Sequence, residues 1–250
     1  MAGHSKWANT KRHKAAQDAK KAKAFSQLSK EISIAARAQG PDVQFNARLR
    51  TAVSKAKALN MPVDNIERAI QKGTGDLDGH MIEELLYEGY APGGVGVIVE
   101  LTTDNKNRSA TEVRTIFSKN GGNLAGAGAL NFSFRRLGQF MIPKSQIDED
   151  RLMELALEAG ADDCIVHETA FELICPVTQF DKLSSALEAK GLKPESAELI
   201  YQPVSTVLVT EEAQAQKVLK LIDALEALED VKAVFHNLEL PEALMQKLDL

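Results

Sequence analysis

Residues 138–202 read GQFMIPKSQIDEDRLMELALEAGADDCIVHETAFELICPVTQFDKLSSALEAKGLKPESAELIYQ, and the period of their apolar side chains switches repeatedly between two and 3.6 residues. Strand-like stretches fall near 138–142, 162–167, 170–175 and 196–202, and helical spacing falls near 149–159 and 179–190. The order β-α-β-β-α-β is a complete split β-α-β unit, self-sufficient as a small domain. The flanks are not complete alone. Upstream, Val95 to Leu101 reads as a buried strand, followed by the loop Thr102–Arg108. Ser109-Ala-Thr-Glu112 reads as a capping box opening a helix with Ala110, Val113 and Phe117 on its apolar face, closed by Gly121. Leu130, Phe132 and Phe134 then alternate with polar residues as in a half-buried strand. Downstream come a strand at 204–210, a helix with Val218, Leu221, Ile222 and Leu225 on one face, and a strand at 231–236. Each flank supplies what the other lacks. This predicts a discontinuous middle domain, 80–136 plus 204–240, with 137–203 inserted into it and a short C-terminal helix over 241–250.

The first third is helical. Phe25, Leu28, Ile32, Ala35 and Ala36 recur at three- and four-residue steps before Gln39-Gly40-Pro41, and Phe45, Leu49, Ala52, Val53 and Ala56 repeat the pattern to near Asn60. A third helix starts at Pro62, carries Ile66 and Ile70 on one face, and takes Gly73 as its C-terminal cap. Residues 1–20 hold almost no large apolar side chain besides Trp7 and are expected to be a mobile basic arm when free, and Thr74–Gly79 reads as a linker. Arm and helices together form a first domain over 1–79. The fold class is therefore α+β with three domains: an N-terminal all-α helical domain and two split β-α-β (ferredoxin-like) α/β-sandwich domains, one inserted in the other.

The 250 residues are 44% hydrophobic and 26% charged, ordinary globular material. The longest strongly apolar run, Val95 to Val99, is far short of the roughly 20 residues of a membrane span. The first twenty residues carry Lys and His where an export signal would be apolar. Cys164 and Cys175 form neither a disulfide framework nor a zinc spacing, so a reduced, cytoplasmic setting is expected. The net charge of −5 conceals its distribution: residues 1–73 hold 15 Lys and Arg against 5 Asp and Glu, and the remainder holds 15 against 30. A polyanion meets attraction at one end and repulsion from the other.

Enzyme signatures fail. Gly94-Val-Gly96 lacks the third glycine of a dinucleotide fingerprint, and Gly121–Gly128 lacks the Lys-Ser/Thr of a P-loop. The five histidines make no metal-ligand spacing, and Glu83-Glu84 and Asp162-Asp163 read as solvated surface rather than catalytic dyads. Neither cofactor, metal nor small-molecule substrate is expected. The arm differs: His4-Ser5-Lys6-Trp7, Lys11-Arg12-His-Lys14 and Lys20-Lys21-Ala-Lys23 interleave cations with the single tryptophan. Cations neutralise phosphates and an indole stacks on an unpaired base, although lysine runs are also common as solvated helix faces. The loop Asp104-Asn-Lys106-Asn-Arg108 has two readings: an anion-holding site beside a helix N-terminus, or an Asp104–Arg108 pair that shapes the turn.

Met1–Asn9, Ala16–Lys20, Asn46-Ala-Arg48-Leu-Arg50, Asn60-Met-Pro62, Glu67–Ile70, Tyr87-Glu-Gly-Tyr-Ala-Pro-Gly-Gly94, Asp104–Arg108 and Gly121–Leu124 together resemble the YebC/PmpR family, whose relatives include mitochondrial translational activators of cytochrome oxidase. The likeness spans essentially the whole chain. It departs at Ala91, where Gly is usual, at Lys106, where Arg is common, and at Phe45 and Ala47, which flank an Asn that often has Pro beside it. The resemblance implies three domains around a cleft, a cytoplasmic location and no catalysis. It brings two roles: members are described as DNA-binding transcriptional regulators, and similar proteins act on the ribosome, relieving stalls at proline-rich stretches. No helix-turn-helix is recognisable, which favours contact with a phosphate backbone or ribosomal RNA over base-edge readout. Candidate contact residues are those of the arm, with Arg48, Arg50, Lys106 and Arg108. Nucleic acid, DNA or ribosomal RNA, is the expected partner through the N-terminal third, with the ribosome as its setting and no membrane. The alternative is a protein-interaction scaffold whose acidic domains dock a protein.

Overall fold

The structure, a computed structural model, describes residues 15–75 and 82–248, with 15–21 described by backbone alone. Three helices open it: α1 (Ala15–Gln39), α2 (Ala47–Ala58) and α3 (Val63–Thr74). Leu28, Ile32, Ala35 and Ala36 of α1 bury against Leu49, Ala52, Val53 and Ala56 of α2 and Ile66 and Ala69 of α3. The apolar spacing read from the sequence thus maps onto the core, with two changes. Gly73 does not cap α3. It lies inside the helix where a Cβ would stand 2.3 Å from the Ser33 carbonyl oxygen, so its missing side chain lets α1 and α3 touch, and Gly75, at φ 86°, is the cap. Phe45 does not join the core, because α2 starts only after the N-cap Asn46 and leaves the ring 84% exposed.

Next comes an antiparallel hairpin of β1 (Glu83–Ala91) and β2 (Val95–Thr103), turned by Pro92–Gly94. The helix α4 (Lys106–Lys119) and the short β3 (Asn123–Leu124) follow. After the inserted unit, β8 (Val207–Leu208), α7 (Glu212–Ala227), β9 (Val231–His236), β10 (Leu238–Glu239) and α8 (Glu242–Lys247) complete the chain. The sheet order is β3-β1-β2-β9, antiparallel throughout. One face of β2, Val95, Val97, Val99 and Leu101, packs under Val113 and Phe117 of α4 and Val218, Leu221, Ile222 and Leu225 of α7.

Several sequence expectations change here. The strand β1 has no counterpart among the strands that the sequence pattern predicts. The strand expected at 204–210 shrinks to β8, which pairs in parallel with β10 outside the main sheet. The strand expected through Leu130–Phe134 is a turn as far as Ser133, with Phe132 95% exposed. The cause is Glu88, a buried carboxylate of β1 that accepts from the backbone N–H of Gly128 at 2.8 Å and of Leu130 at 2.7 Å, holding this stretch as a loop. Nor does Ser109 open α4: Asn105 is the N-cap, its side chain accepting from the Arg108 N–H at 3.1 Å.

Residues Asn131–Ser205 form a second compact unit. It comprises β4 (Phe134–Pro143), α5 (Glu149–Ala159), β5 (Asp163–Val166), β6 (Ala170–Pro176), α6 (Phe180–Ala189) and β7 (Ser196–Pro203). Its sheet order β5-β6-β4-β7, all antiparallel, is the ferredoxin-like arrangement that the alternating period predicts. Phe140, Ile142, Phe171, Leu173 and Cys175 pack under Leu152, Ala156, Leu183 and Leu187 of the two helices. The fold is α+β, a helical region followed by β-α-β sheets, one unit carried within the other. Among the described residues, no helix is long and apolar enough to cross a membrane.

Candidate nucleic-acid interface

The entry to α2 is rigidly built. Asp42 accepts from the Gln44 N–H at 2.8 Å through a side-chain oxygen, and the Phe45 N–H reaches the Asp42 carbonyl at 3.2 Å. Asn46, fully buried, accepts from the Leu49 N–H at 2.9 Å and donates to the carbonyls of Ala35 and Gly40, each at 2.8 Å. One amide side chain thereby caps α2 and ties it to the end of α1. The helix that follows, ARLRTAVSKAKA, carries Arg48, Arg50, Lys55 and Lys57 and no acidic residue. Leu49, Ala52, Val53 and Ala56 face inward, while Ala47, Arg50, Thr51, Ser54, Lys57 and Ala58 are exposed. The outward face is cationic and otherwise small. The two lysines in the last turn also suit the negative end of the helix dipole.

The cations of α1 behave differently. Lys23, Ser26, Gln27 and Lys30 follow helical spacing, and all four point at the turn between α7 and β9. Lys23 donates to the Glu226 carbonyl, Ser26 to the Glu229 carboxylate at 3.0 Å, and Gln27 to the Val231 carbonyl. Lys30 reaches the Thr102 carbonyl at 3.1 Å and the Asp230 carboxylate at 2.6 Å. Burial holds the Lys23 ammonium below the usual lysine range despite the opposing pull of Glu226.

Asp230 is the centre of this junction. Besides Lys30, its buried carboxylate accepts from Arg108 at 2.7 Å, Ser109 at 2.9 Å and Thr103 at 3.0 Å. Burial by itself would raise this carboxyl's pKa, but the hydrogen bonds from Arg108, Lys30 and Ser109 outweigh it and hold the group well below the ordinary carboxylate range. Arg108 is raised in turn, chiefly by its hydrogen bond to Asp230.

The candidate residues therefore separate. His4, Ser5, Lys6, Trp7, Lys11, Arg12 and Lys14 lie outside the described residues, and Lys20 and Lys21 are placed on α1 by backbone only. Lys23 is directed inward. Arg48 pairs with Glu84 at 2.5 Å and Lys106 with Glu83 at 2.5 Å, so Glu83-Glu84 is an ion-paired edge of β1. Arg108 bonds Asp104 at 3.1 Å, the pair that one reading of its loop expects, and adds Asp230, a partner invisible in the local sequence. Arg50 is exposed, with one bond to the Gln44 carbonyl at 3.2 Å. Sequence reasoning missed Lys57, whose place on the Arg50 face was legible from the seven-residue spacing, and Phe45, which it assigned to the core. Among the described residues, no three His, Cys, Asp or Glu side chains are grouped as metal ligands would be.

Family models match along nearly all of this length. The TACO1/YebC protein N-terminal domain matches residues 5–76, and the TACO1/YebC second and third domain matches 82–238. The chain belongs to the TACO1/YebC family. Among TACO1/YebC relatives, a "Probable transcriptional regulatory protein" of Opitutus terrae is 54% identical over 98% of this chain and 99% of its own. Proteins of the same name from Treponema pallidum and Aquifex aeolicus are 52% and 47% identical over 98% and 99% of this chain and 100% and 99% of their own. The crystal structure of a conserved hypothetical protein from Aquifex aeolicus superimposes with a TM-score of 0.83 at 46% identity, covering 94% of this chain and 97% of that one.

Proposed function

We propose that the chain is a non-catalytic, cytoplasmic regulator of gene expression that grips nucleic acid by its phosphate backbone through the N-terminal third, acting on ribosomal RNA as a translation factor at proline-rich stalls. The observation that carries the reading is the charge partition, 15 cations against 5 acids before residue 74 and 15 against 30 after it. The acid-free outer face of α2 agrees with it. Cations spread over an arm and a helix surface neutralise phosphates and release counterions, an interaction indifferent to base sequence. A second reading, regulation of transcription on duplex DNA, has the names of the relatives in its favour.

The test uses full-length protein. Replacing Lys6, Lys11, Arg12 and Lys14 with Ala should weaken binding to every nucleic acid tried and flatten the salt slope by roughly 0.7–0.9 for each phosphate no longer neutralised. An unchanged slope with lost sequence preference would make these residues base readers instead. Crosslinking in cells separates the two readings: ribosomal RNA enrichment supports the first, promoter DNA the second.

A further inference from the structure

We propose that the turn ahead of α2 is a stacking platform for an unpaired base of single-stranded RNA, with the Phe45 ring as the platform and Arg50 and Lys57 taking the adjoining phosphates. The inference rests on the reading above for its polyanion and adds which nucleotides are held and where. Phe45 continues the apolar period of Leu49, Ala52 and Val53, yet its ring is 84% exposed. Single exposed apolar residues are common and need no explanation. Phe45 is set apart by how it is mounted and by what adjoins it.

The backbone is pinned on both sides of the ring. Asp42 fixes it from before through the Gln44 and Phe45 N–H groups, and Asn46, buried with three side-chain hydrogen bonds, fixes it from behind. An aromatic so mounted has its backbone ordered before binding, which leaves only the side-chain rotamer to be fixed when a base arrives. The Arg50 guanidinium bonds the Gln44 carbonyl at 3.2 Å, and that carbonyl belongs to the peptide joining Gln44 to Phe45, so a cation stands beside the platform. Lys57 lies two turns along the same helix face, about 10 Å from Arg50 along the axis. Between them Thr51 and Ser54 are small, and α2 has no carboxylate to repel a phosphate.

Charge complementarity selects the occupant. A protein partner would call for a wider apolar patch, whereas the neighbours of Phe45 in sequence are Asp42, Val43, Gln44, Asn46 and Ala47, and of these the one large apolar side chain, Val43, packs on the helical core. A duplex hides the faces of its bases, while looped and single-stranded RNA exposes them to aromatic rings and guanidinium planes, with little preference among bases.

The experiment measures fluorescence anisotropy of full-length protein with a labelled oligoadenylate RNA and with a blunt duplex DNA, each across a salt series. Phe45→Ala should weaken oligoadenylate binding at least roughly fivefold, the range of a removed base stack, with the salt slope and the melting temperature unchanged and duplex binding intact. Phe45→Trp should retain the affinity and Phe45→Leu should not, since the π-face and not apolar bulk is required. Arg50→Ala should flatten the slope on the single strand by roughly 0.7. Wild-type affinity in Phe45→Ala, equal losses on RNA and duplex, full affinity in Phe45→Leu, or a change only in self-association would each overturn the platform. If wild-type protein itself lacks salt-dependent binding, the proposed function falls with it. Salt-dependent wild-type binding that Phe45→Ala leaves intact removes the platform alone.

Discussion

Replacing Asp230 tests how the helical region is held to the sheet. The Ala variant deletes four hydrogen bonds, from Lys30 at 2.6 Å, Arg108 at 2.7 Å, Ser109 at 2.9 Å and Thr103 at 3.0 Å. The losses are unequal. Ser109 and Thr103 already bond each other at 2.8 Å and remain satisfied. Arg108, with 46% of its side chain exposed, keeps Asp104 and rehydrates, so its share is about 0–1 kcal/mol. Lys30, only 15% exposed, is left with a single carbonyl and bears most of the cost of a broken buried pair, about 3–5 kcal/mol. At about 2–4 °C per kcal/mol for a unit of this size, the calorimetric transition of the unit containing β1 and α7 should fall by roughly 6–20 °C at neutral pH. The carboxyl's folded pKa lies below its unfolded value of about 3.9, so its contribution is complete above that value and is lost as pH falls through the folded one. The gap between wild type and Asp230→Asn should therefore be constant from neutral pH down to about pH 5 and should close below about pH 4. A shift under about 2 °C at neutral pH, or a gap that widens on acidification, would refute the assignment of Asp230 as the anchor.

Arg108→Ala should lower stability by about 1–2 kcal/mol in urea titration, because a charge-assisted bond to a buried carboxylate is removed, while nucleic-acid affinity per folded molecule stays intact; reduced affinity at unchanged stability would make the loop of Lys106 and Arg108 a contact site. Gly73→Ala should destabilise by about 1–3 kcal/mol despite alanine's better helix propensity, since the new methyl meets the Ser33 carbonyl and must push α1 from α3; a melting temperature at or above wild type would show that the two helices do not need that approach.

Legibility followed the range of the forces involved. The inserted unit was readable because its core is built from local alternation, with Gly138, Phe140 and Ile142 of β4 buried between less buried neighbours, beneath helices whose faces are equally regular. The strand β1 was not, because Glu83-Glu84-Leu85-Leu86-Tyr87-Glu88-Gly89 lacks that alternation, and its buried carboxylate serves a loop 42 residues further on. That same long-range bond holds the stretch through Ser133 as a loop, although Leu130, Phe132 and Phe134 alternate on paper as a strand would. Phe45 failed for a local reason: the cap at Asn46 interrupts the helix, so the period that continues on paper does not continue in space. On the candidate surface the sequence yielded the sign of the charge but not its availability. Lys23 and Lys30 find their partners about two hundred residues away, and no reading of neighbours shows which lysines are turned inward.

Where the second unit joins the first, its leading strand β4 and final strand β7 lie side by side, with Phe134 opposite Pro203 and the Val204 N–H bonded to the Ser133 carbonyl at 2.9 Å. From the viewpoint of the host, residues 131–205 therefore begin and end at nearly one point, as the turn of a hairpin does. Once folded, the insertion charges the host no more loop-closure entropy than a short connection, whereas unfolded it would be a long flexible loop to close. Folding of the guest first thus smooths the path of the host, whose β9 must find β2 from the far side of the interruption.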